Sequence, residues 1–406
     1  MKPQAARHSA SRDTAPGGAR DRYPAILAYG FRPFFLLAGI YAAIAIPFWI
    51  AIMQGAALPR MPLPAQAWHA HEMLYGFVAA AVAGFMLTAV PGWTGHRGYS
   101  GTPLAALVLL WLAGRLVTTL PLGLPLWGIA AIDLAFLPAL ALTLLPTLIR
   151  SGNRRNLVFI GLLALLFASN LQFYRGGAST TASLLLGLNA MLFMITLLGS
   201  RILPAFTSAA LEERGLEVGI PRHQPLDKAA LAAIGCVLVV DIVFPDSRFA
   251  AGIAALSAAL LGVQLSRWHG HRTEKMPILW VLHVGYAWLP ISLALKAALL
   301  FSMPVFASSW IHALTAGAMA TMIIGIMSRA SLGHTGRALI APTAIAAAYV
   351  SITGAALSRV FGPLLLPAMT PQWWVLSAML WSLAFALFVI VFAPILCRPR
   401  ADGRPG

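Results

Sequence analysis

Trp68-His69-Ala70-His71-Glu72-Met73-Leu74-Tyr75-Gly76-Phe77 opens a run that continues Val78-Ala79-Ala80-Ala81-Val82-Ala83-Gly84-Phe85-Met86-Leu87-Thr88-Ala89-Val90, with no charge after Glu72. About twenty apolar residues at ~1.5 Å per residue match the ~30 Å hydrocarbon core of a bilayer. The stretch therefore reads as a membrane-crossing helix with a histidine-bearing mouth. The same pattern recurs at 33–53, 70–90, 102–120, 127–149, 156–173, 180–199, 229–245, 249–266, 277–299, 310–328, 340–360 and 373–396. Twelve spans are expected, the seventh and eighth separated only by Phe244-Pro245-Asp246-Ser247-Arg248. Pro62-Leu63-Pro64, Pro121-Leu122-Gly123 and the run from Arg150 to Arg155 mark other breaks.

The whole composition agrees. Of 406 residues 59% are apolar and 10% charged, and mean hydropathy is +0.80. A soluble domain carries about 25% charged residues, so the surface of this chain must be coated by lipid. The net charge of +16 does not imply nucleic acid, because the basic residues lie in short clusters between apolar runs. With a cytoplasmic N-terminus, 22 basic residues fall on inside segments and 4 on outside loops, Arg115 and Lys296 being within helices. That alternation predicts an all-α integral membrane protein with both termini cytoplasmic. Residues 1–25 read as a disordered basic cytoplasmic tail, 26–397 as one membrane domain and 398–406 as a second tail. The first apolar run is too long for a signal-peptide core, and no Ala-x-Ala site closes it. The longest loop, 200–228, is expected inside, with Leu211-Glu212-Glu213-Arg214-Gly215 as a short surface helix.

Cys236 and Cys397 form no CxxC pair, which argues against a disulfide framework and thiolate metal chemistry, and no CxxCH permits c-type haem attachment. Histidines are more informative. The second span opens with His69 and His71 and the tenth with Trp310-Ile311-His312, all expected at the outer surface. His96 follows the second span, His334 the tenth, and His283 lies about two turns into the ninth, all toward the cytoplasm. His71 and His96 are 25 residues apart, roughly 37 Å along a helix, so the two sets cannot share a metal. Imidazole suits haem iron and copper, and a b-type haem needs only axial ligands from packed helices. Positions 69 and 71 lie about 200° apart on a helix, so one could ligate iron while the other meets a propionate, a second metal or Glu72. Met61 and Met73 would suit Cu(I). The competing reading makes the histidines interfacial anchors beside Trp68 and Trp310. Asp133, inside the fourth span, is either a proton relay or a structural partner of Arg115.

Thr94-Gly95-His96-Arg97-Gly98 after the second span echoes Leu332-Gly333-His334-Thr335-Gly336-Arg337 after the tenth, and Gly199-Ser200-Arg201 echoes Met327-Ser328-Arg329. An echo every four helices suggests three four-helix units rather than the two halves common in transporters.

Gly30-Phe31-Arg32-Pro33-Phe34-Phe35, Trp68-His-Ala-His-Glu-Met73, Arg201-Ile-Leu-Pro-Ala-Phe-Thr207, Leu282-His-Val-Gly-Tyr286 and His312-Ala-Leu-Thr315 through Ser331-Leu-Gly-His-Thr-Gly-Arg337 together resemble the NnrS family, over residues 26–396. The resemblance implies a twelve-span bacterial inner-membrane protein containing haem and copper, linked to denitrification and defence against nitric oxide. A more distant similarity is to the catalytic subunit of haem–copper oxidases, whose low-spin haem is held by histidines on the second and tenth helices. His71 or His69, with His312, stand in those places. The sixth and seventh spans hold no histidine, so the copper-binding trio of that fold is absent.

The resulting expectation is a haem b protein, with copper as a second metal, in the nitric oxide or nitrosative stress response. It would act through NO binding, electron transfer or protection of iron sites, with a quinone or periplasmic carrier as electron donor and the lipid bilayer as its other partner. Candidate ligands are His69, His71, His312 and His283, with Met73 for copper. Arg32, Glu72, His96, Arg201, Arg329, His334 and Arg337 are further candidate site residues. The alternatives are a transporter or channel for a small molecule, haem or metal, and a structural subunit.

Overall fold

The computed structural model describes residues 23–56, 61–176, 179–216, 220 and 223–404; the basic tail expected at 1–25 lies largely outside them. Twelve long helices follow in order: α1 Phe31–Met53, α2 Ala65–Thr94, α3 Gly101–Thr119, α4 Leu126–Arg150, α5 Arg154–Phe173, α6 Ser179–Glu212, α7 Gln224–Val243, α8 Arg248–Ser266, α9 Pro277–Leu300, α10 Ala307–His334, α11 Thr343–Leu365 and α12 Thr370–Leu396. Eleven are long and apolar enough to cross a bilayer. The exception, α7, carries Asp227, Lys228 and Asp241, and two of these charges meet neighbours. Gln264 of α8 donates to Asp227 at 2.7 Å, and Asp241 pairs with Lys296. The chain is a multi-pass membrane protein.

Each helix packs on the next, and α12 closes back on α1. Three helices stand inside that ring. The most apolar window is 83% buried in α2, 67% in α6 and 72% in α10, against 28% in α1 and 33% in α4 and α8. These three helices also meet one another across the centre. The inner helix thus recurs every fourth position, in keeping with three four-helix units. Ile44, Leu109, Leu142, Val350 and Ile390 project outward and exposed from the ring, as lipid contact requires.

α2 and α10 share an internal design finer than the sequence echo. In α2 the helix widens into a π segment at Glu72–Val78, immediately after His71; in α10 the π segment is Ala313–Met319, immediately after His312. In that register Gly76 matches Gly317, Gly84 matches Gly325, Met86 matches Met327, and Thr94-Gly95 matches Thr335-Gly336. His96 therefore aligns with Arg337 rather than with His334, a shift from the register that the G-H-x-G turns suggested. The glycines let the preceding helix approach. A Cβ at Gly76 would lie 2.8 Å from Tyr41 and at Gly84 2.6 Å from Phe35, both on α1. At Gly317 it would lie 2.5 Å from Trp288 and at Gly325 2.7 Å from Leu282, both on α9. Both units end alike: Thr94 and Thr335 donate to the carbonyls four residues back, and Gly95 and Gly336 adopt φ of 70° and 72°.

Two sequence expectations are corrected here. Residues 200–212 are not loop but the last turns of α6, since Leu203, Thr207 and Leu211 are buried within the bundle and Pro204 is accommodated inside the helix. Leu211-Glu212 closes that helix, so no separate surface helix forms there. Arg359, one of the four basic residues that the alternation assigned to outside loops, lies inside α11.

Both ends of the described chain lie on one face. Arg32, fully buried at the start of α1, donates to the carbonyls of Leu396 at 2.9 Å and Arg398 at 2.7 Å. Arg400 donates to the His334 carbonyl at 2.7 Å, the Ala401 amide donates to Thr335, and Tyr29 stacks on the His334 ring. Arg337 donates to the carbonyl of Thr335 at 3.3 Å in the same place. Arg32, His334 and Arg337 are thus parts of a clasp between the first helix, α10 and the C-terminal segment.

Candidate functional site

Polar groups inside the bundle gather in three places, one between each pair of inner helices, and they differ in how completely they satisfy themselves.

Between α2 and α6, with α3 to α5 outside, His71 is fully buried. Its Nδ1 lies 2.9 Å from Glu72 Oε1 and its Nε2 lies 3.1 Å from Asp133 Oδ2 and 3.0 Å from Asn170 Oδ1. Arg115 reaches Glu72 Oε2 at 2.7 Å with Nη1 and bonds Asp133 with Nη2. Tyr41 donates to Glu72, Thr118 donates to Glu72 Oε1 at 2.8 Å, and Asn170 and Tyr174 donate to Asp133. A doubly protonated His71 satisfies both carboxylates, so two positive and two negative groups balance inside the protein. Of the two roles open to Asp133, partner of Arg115 is the one observed. An aspartate held by four neighbouring side chains offers no moving carboxylate for a relay.

Between α6 and α10, Asp241 of α7 bonds Lys296 of α9 and accepts from Asn189 of α6 at 2.8 Å. The Lys296 ammonium stands 4.8 Å from the Trp310 ring centroid. This set is also balanced.

Between α10 and α2, with α11, α12 and α1 outside, the arrangement is open. His312 Nδ1 is 2.7 Å from the Ser308 carbonyl. That bond fixes Nδ1 as the donor and leaves Nε2 with its lone pair and, among the described residues, no hydrogen-bond partner. His69 stacks on Trp49 with ring centroids 4.7 Å apart, and its Nδ1 is buried without a partner. His69 and His312 are within electrostatic reach of one another and of Arg359. Arg359 lies 5.3 Å from the Trp374 ring centroid and forms no ion pair among the described residues. The indole N–H groups of Trp373 and Trp374 are buried and unbonded. The 200° separation of 69 and 71 is realised: the two histidines serve different chambers, and His69, not His71, is the one within electrostatic reach of His312.

Two free imidazoles, an uncompensated guanidinium and unbonded indole donors fit a haem with its carboxylates. Among the described residues no group of three or more His, Cys, Asp or Glu side chains is placed to hold a metal ion, and Met61 and Met73, the thioethers considered for copper, both pack toward the apolar patch around Trp68, Leu63 and Phe173.

The remaining candidates lie elsewhere. His283, 8% exposed, meets Thr207 Oγ1 at 2.9 Å and packs under Gly270. His96 is exposed, stacked on Tyr99, and accepts from the Gly98 amide. Arg201 donates to Asn156 at 3.0 Å, and the Arg329 guanidinium lies 4.0 Å from the Phe206 ring centroid. Sequence reading passed over Arg359, although a basic residue on the sparsely charged outer side was a signal. It also passed over the two π segments, which frequently mark functional sites.

A family model described as NnrS protein matches residues 25–400. No curated protein matches the chain.

Proposed function

The chain belongs to the NnrS family, and from that premise we propose that it is a haem-binding bacterial inner-membrane protein of the nitric oxide response, acting by electron transfer. The haem would be held by His69 and His312, with both chain ends cytoplasmic and the site near the outer surface. The observation that carries this reading is that His69 Nδ1 is buried without a partner while His312 turns its Nδ1 to the Ser308 carbonyl, in a chamber whose electrostatics both share with Arg359.

A b-type haem with two histidine ligands supplies one-electron exchange. The protein's own groups prepare the place. The Ser308 carbonyl orients His312, as carbonyl partners commonly do for ligating imidazoles. Trp49 stacks on His69 and fixes the plane of its ring. With both imidazoles engaged in holding such a group, the site would suit electron transfer rather than NO binding, with a quinone or periplasmic carrier as donor and NO met by a partner or downstream group. The transporter alternative draws no support from Asp133, whose partners are fixed.

The test is the absorption spectrum of the purified protein. The native chain should show a Soret band that shifts on reduction; His69→Ala and His312→Ala should each diminish it, and His71→Ala should not. A colourless protein lacking stoichiometric iron defeats the proposal. Loss of haem on His71→Ala alone would instead assign the ligand to the neighbouring chamber.

A further inference from the structure

Charge balance separates the three chambers. The chamber of His71 holds two acids against Arg115 and the imidazolium, and that of Lys296 holds one acid against one base. The chamber of His69 and His312 holds Arg359 and, among the described residues, no acid. Arg359 is half-buried, and a guanidinium even partly withdrawn among apolar helices is costly without a counter-charge. Neutral histidines cannot provide one, and protonated histidines would worsen the imbalance. The local donors point the same way. Arg359 lies against the Trp374 ring, and the Trp374 indole N–H is buried without an acceptor. A planar fork of guanidinium donors beside an indole donor is suited to accept a carboxylate.

We propose that Arg359, assisted by Trp374, anchors the carboxylates of a tetrapyrrole lying between His69 and His312. The inference rests on the haem reading of that chamber, but it concerns the acid groups rather than the iron. It predicts that the site discriminates a porphyrin diacid from its diester, a distinction that axial ligation alone would not make.

Metal-free protoporphyrin removes the histidines from the question. The full-length chain in nanodiscs is titrated with protoporphyrin IX and with its dimethyl ester, read by porphyrin fluorescence, for the native protein, Arg359→Gln and Arg359→Lys. The native chain should bind the diacid at least tenfold more tightly than the diester; Arg359→Gln should erase that preference and Arg359→Lys retain part of it. His69→Ala/His312→Ala should keep the preference for the metal-free diacid. In haem-loaded protein, Arg359→Gln should favour the ferric state about tenfold, a fall of about 59 mV for one electron. Equal binding of diacid and diester to the native chain, or a preference that survives in Arg359→Gln, overturns the assignment. It would leave Arg359 as a residue snorkelling to the interface or neutralised by a lipid phosphate. A native chain that binds neither porphyrin overturns it as well; if that chain is also isolated without a Soret band, the haem reading has failed first.

Discussion

Replacing Asp133 by Asn keeps the shape of the side chain and removes one of two negative charges from the chamber of His71. Asp133 accepts from Arg115, from Asn170 at 2.8 Å and from Tyr174 at 3.1 Å, and faces His71 Nε2 at 3.1 Å. The substitution leaves two cations against Glu72 alone, all at least 93% buried, with Arg115 at 7% exposure the least so. Breaking a buried pair by removing one partner costs about 3–5 kcal/mol, because the remaining charge stays desolvated. That is on the order of a 10²–10⁴-fold fall in the folding equilibrium. Arg115→Gln alone should cost a similar amount, leaving two carboxylates against one imidazolium. The double variant Asp133→Asn/Arg115→Gln returns the set to one cation and one anion, His71 and Glu72, and should recover part of the loss. The coupling between neighbouring sites is then of opposite sign to simple addition. Equilibrium unfolding in mixed micelles measures all four proteins. If Asp133→Asn lies within about 1 kcal/mol of native, or the double variant is as unstable as the sum of the singles, charge balance is not what organises this chamber.

Three other outcomes follow from the same structure. Gly317→Ala would press a Cβ to 2.5 Å from the Trp288 ring, and overpacking of that kind costs about 1–3 kcal/mol; a thermal unfolding midpoint unchanged from native would refute the close approach of α9 to α10. Lys296→Met should destabilise more than Lys296→Met/Asp241→Asn, since the single change strands the Asp241 carboxylate, and unfolding measurements on the pair decide it. The Arg400 hydrogen bonds hold the Asp402 carboxyl well below the usual carboxylate range. The ordering it contributes should be complete above about pH 4, and lost only as pH falls through the lowered value. A spin label at exposed Cys397 should therefore keep the same mobility from pH 7 to pH 4, and gain mobility in Asp402→Asn; loss of order already at pH 5 would contradict the contact.

The number of helices was legible because each span is an uninterrupted apolar run, and lipid enforces that independently of tertiary contacts. The inner position of α2 was foreshadowed by its small residues, Ala79-Ala80-Ala81 and Gly84, which offer little bulk to face lipid and let neighbouring helices approach. The extent of α6 was not legible. Gly199, Ser200, Arg201 and Pro204 carry the composition of a loop, and only burial of Leu203 and Thr207 against the bundle keeps them helical. At the site, periodicity separated His69 from His71, but not which of them would meet His312. That choice depends on where α3 to α5 place Arg115, Asp133 and Asn170, information spread over three distant segments. Arg359 needed the fold most of all: in sequence it is a lone basic residue near a helix end, and its meaning comes from its neighbours, Trp374 and, among the described residues, no acid.

The clasp at Arg32 has a consequence for how the protein is made. Its acceptors, the carbonyls of Leu396 and Arg398, lie 364 and 366 residues further along the chain. At roughly 5–20 residues per second, those carbonyls do not exist until about 20–70 s after Arg32 leaves the ribosome. The ring of helices therefore cannot close during insertion. The last turn of the last helix completes the environment of the first, so a chain halted before Leu396 would reach the membrane with its helices inserted and its circle still open.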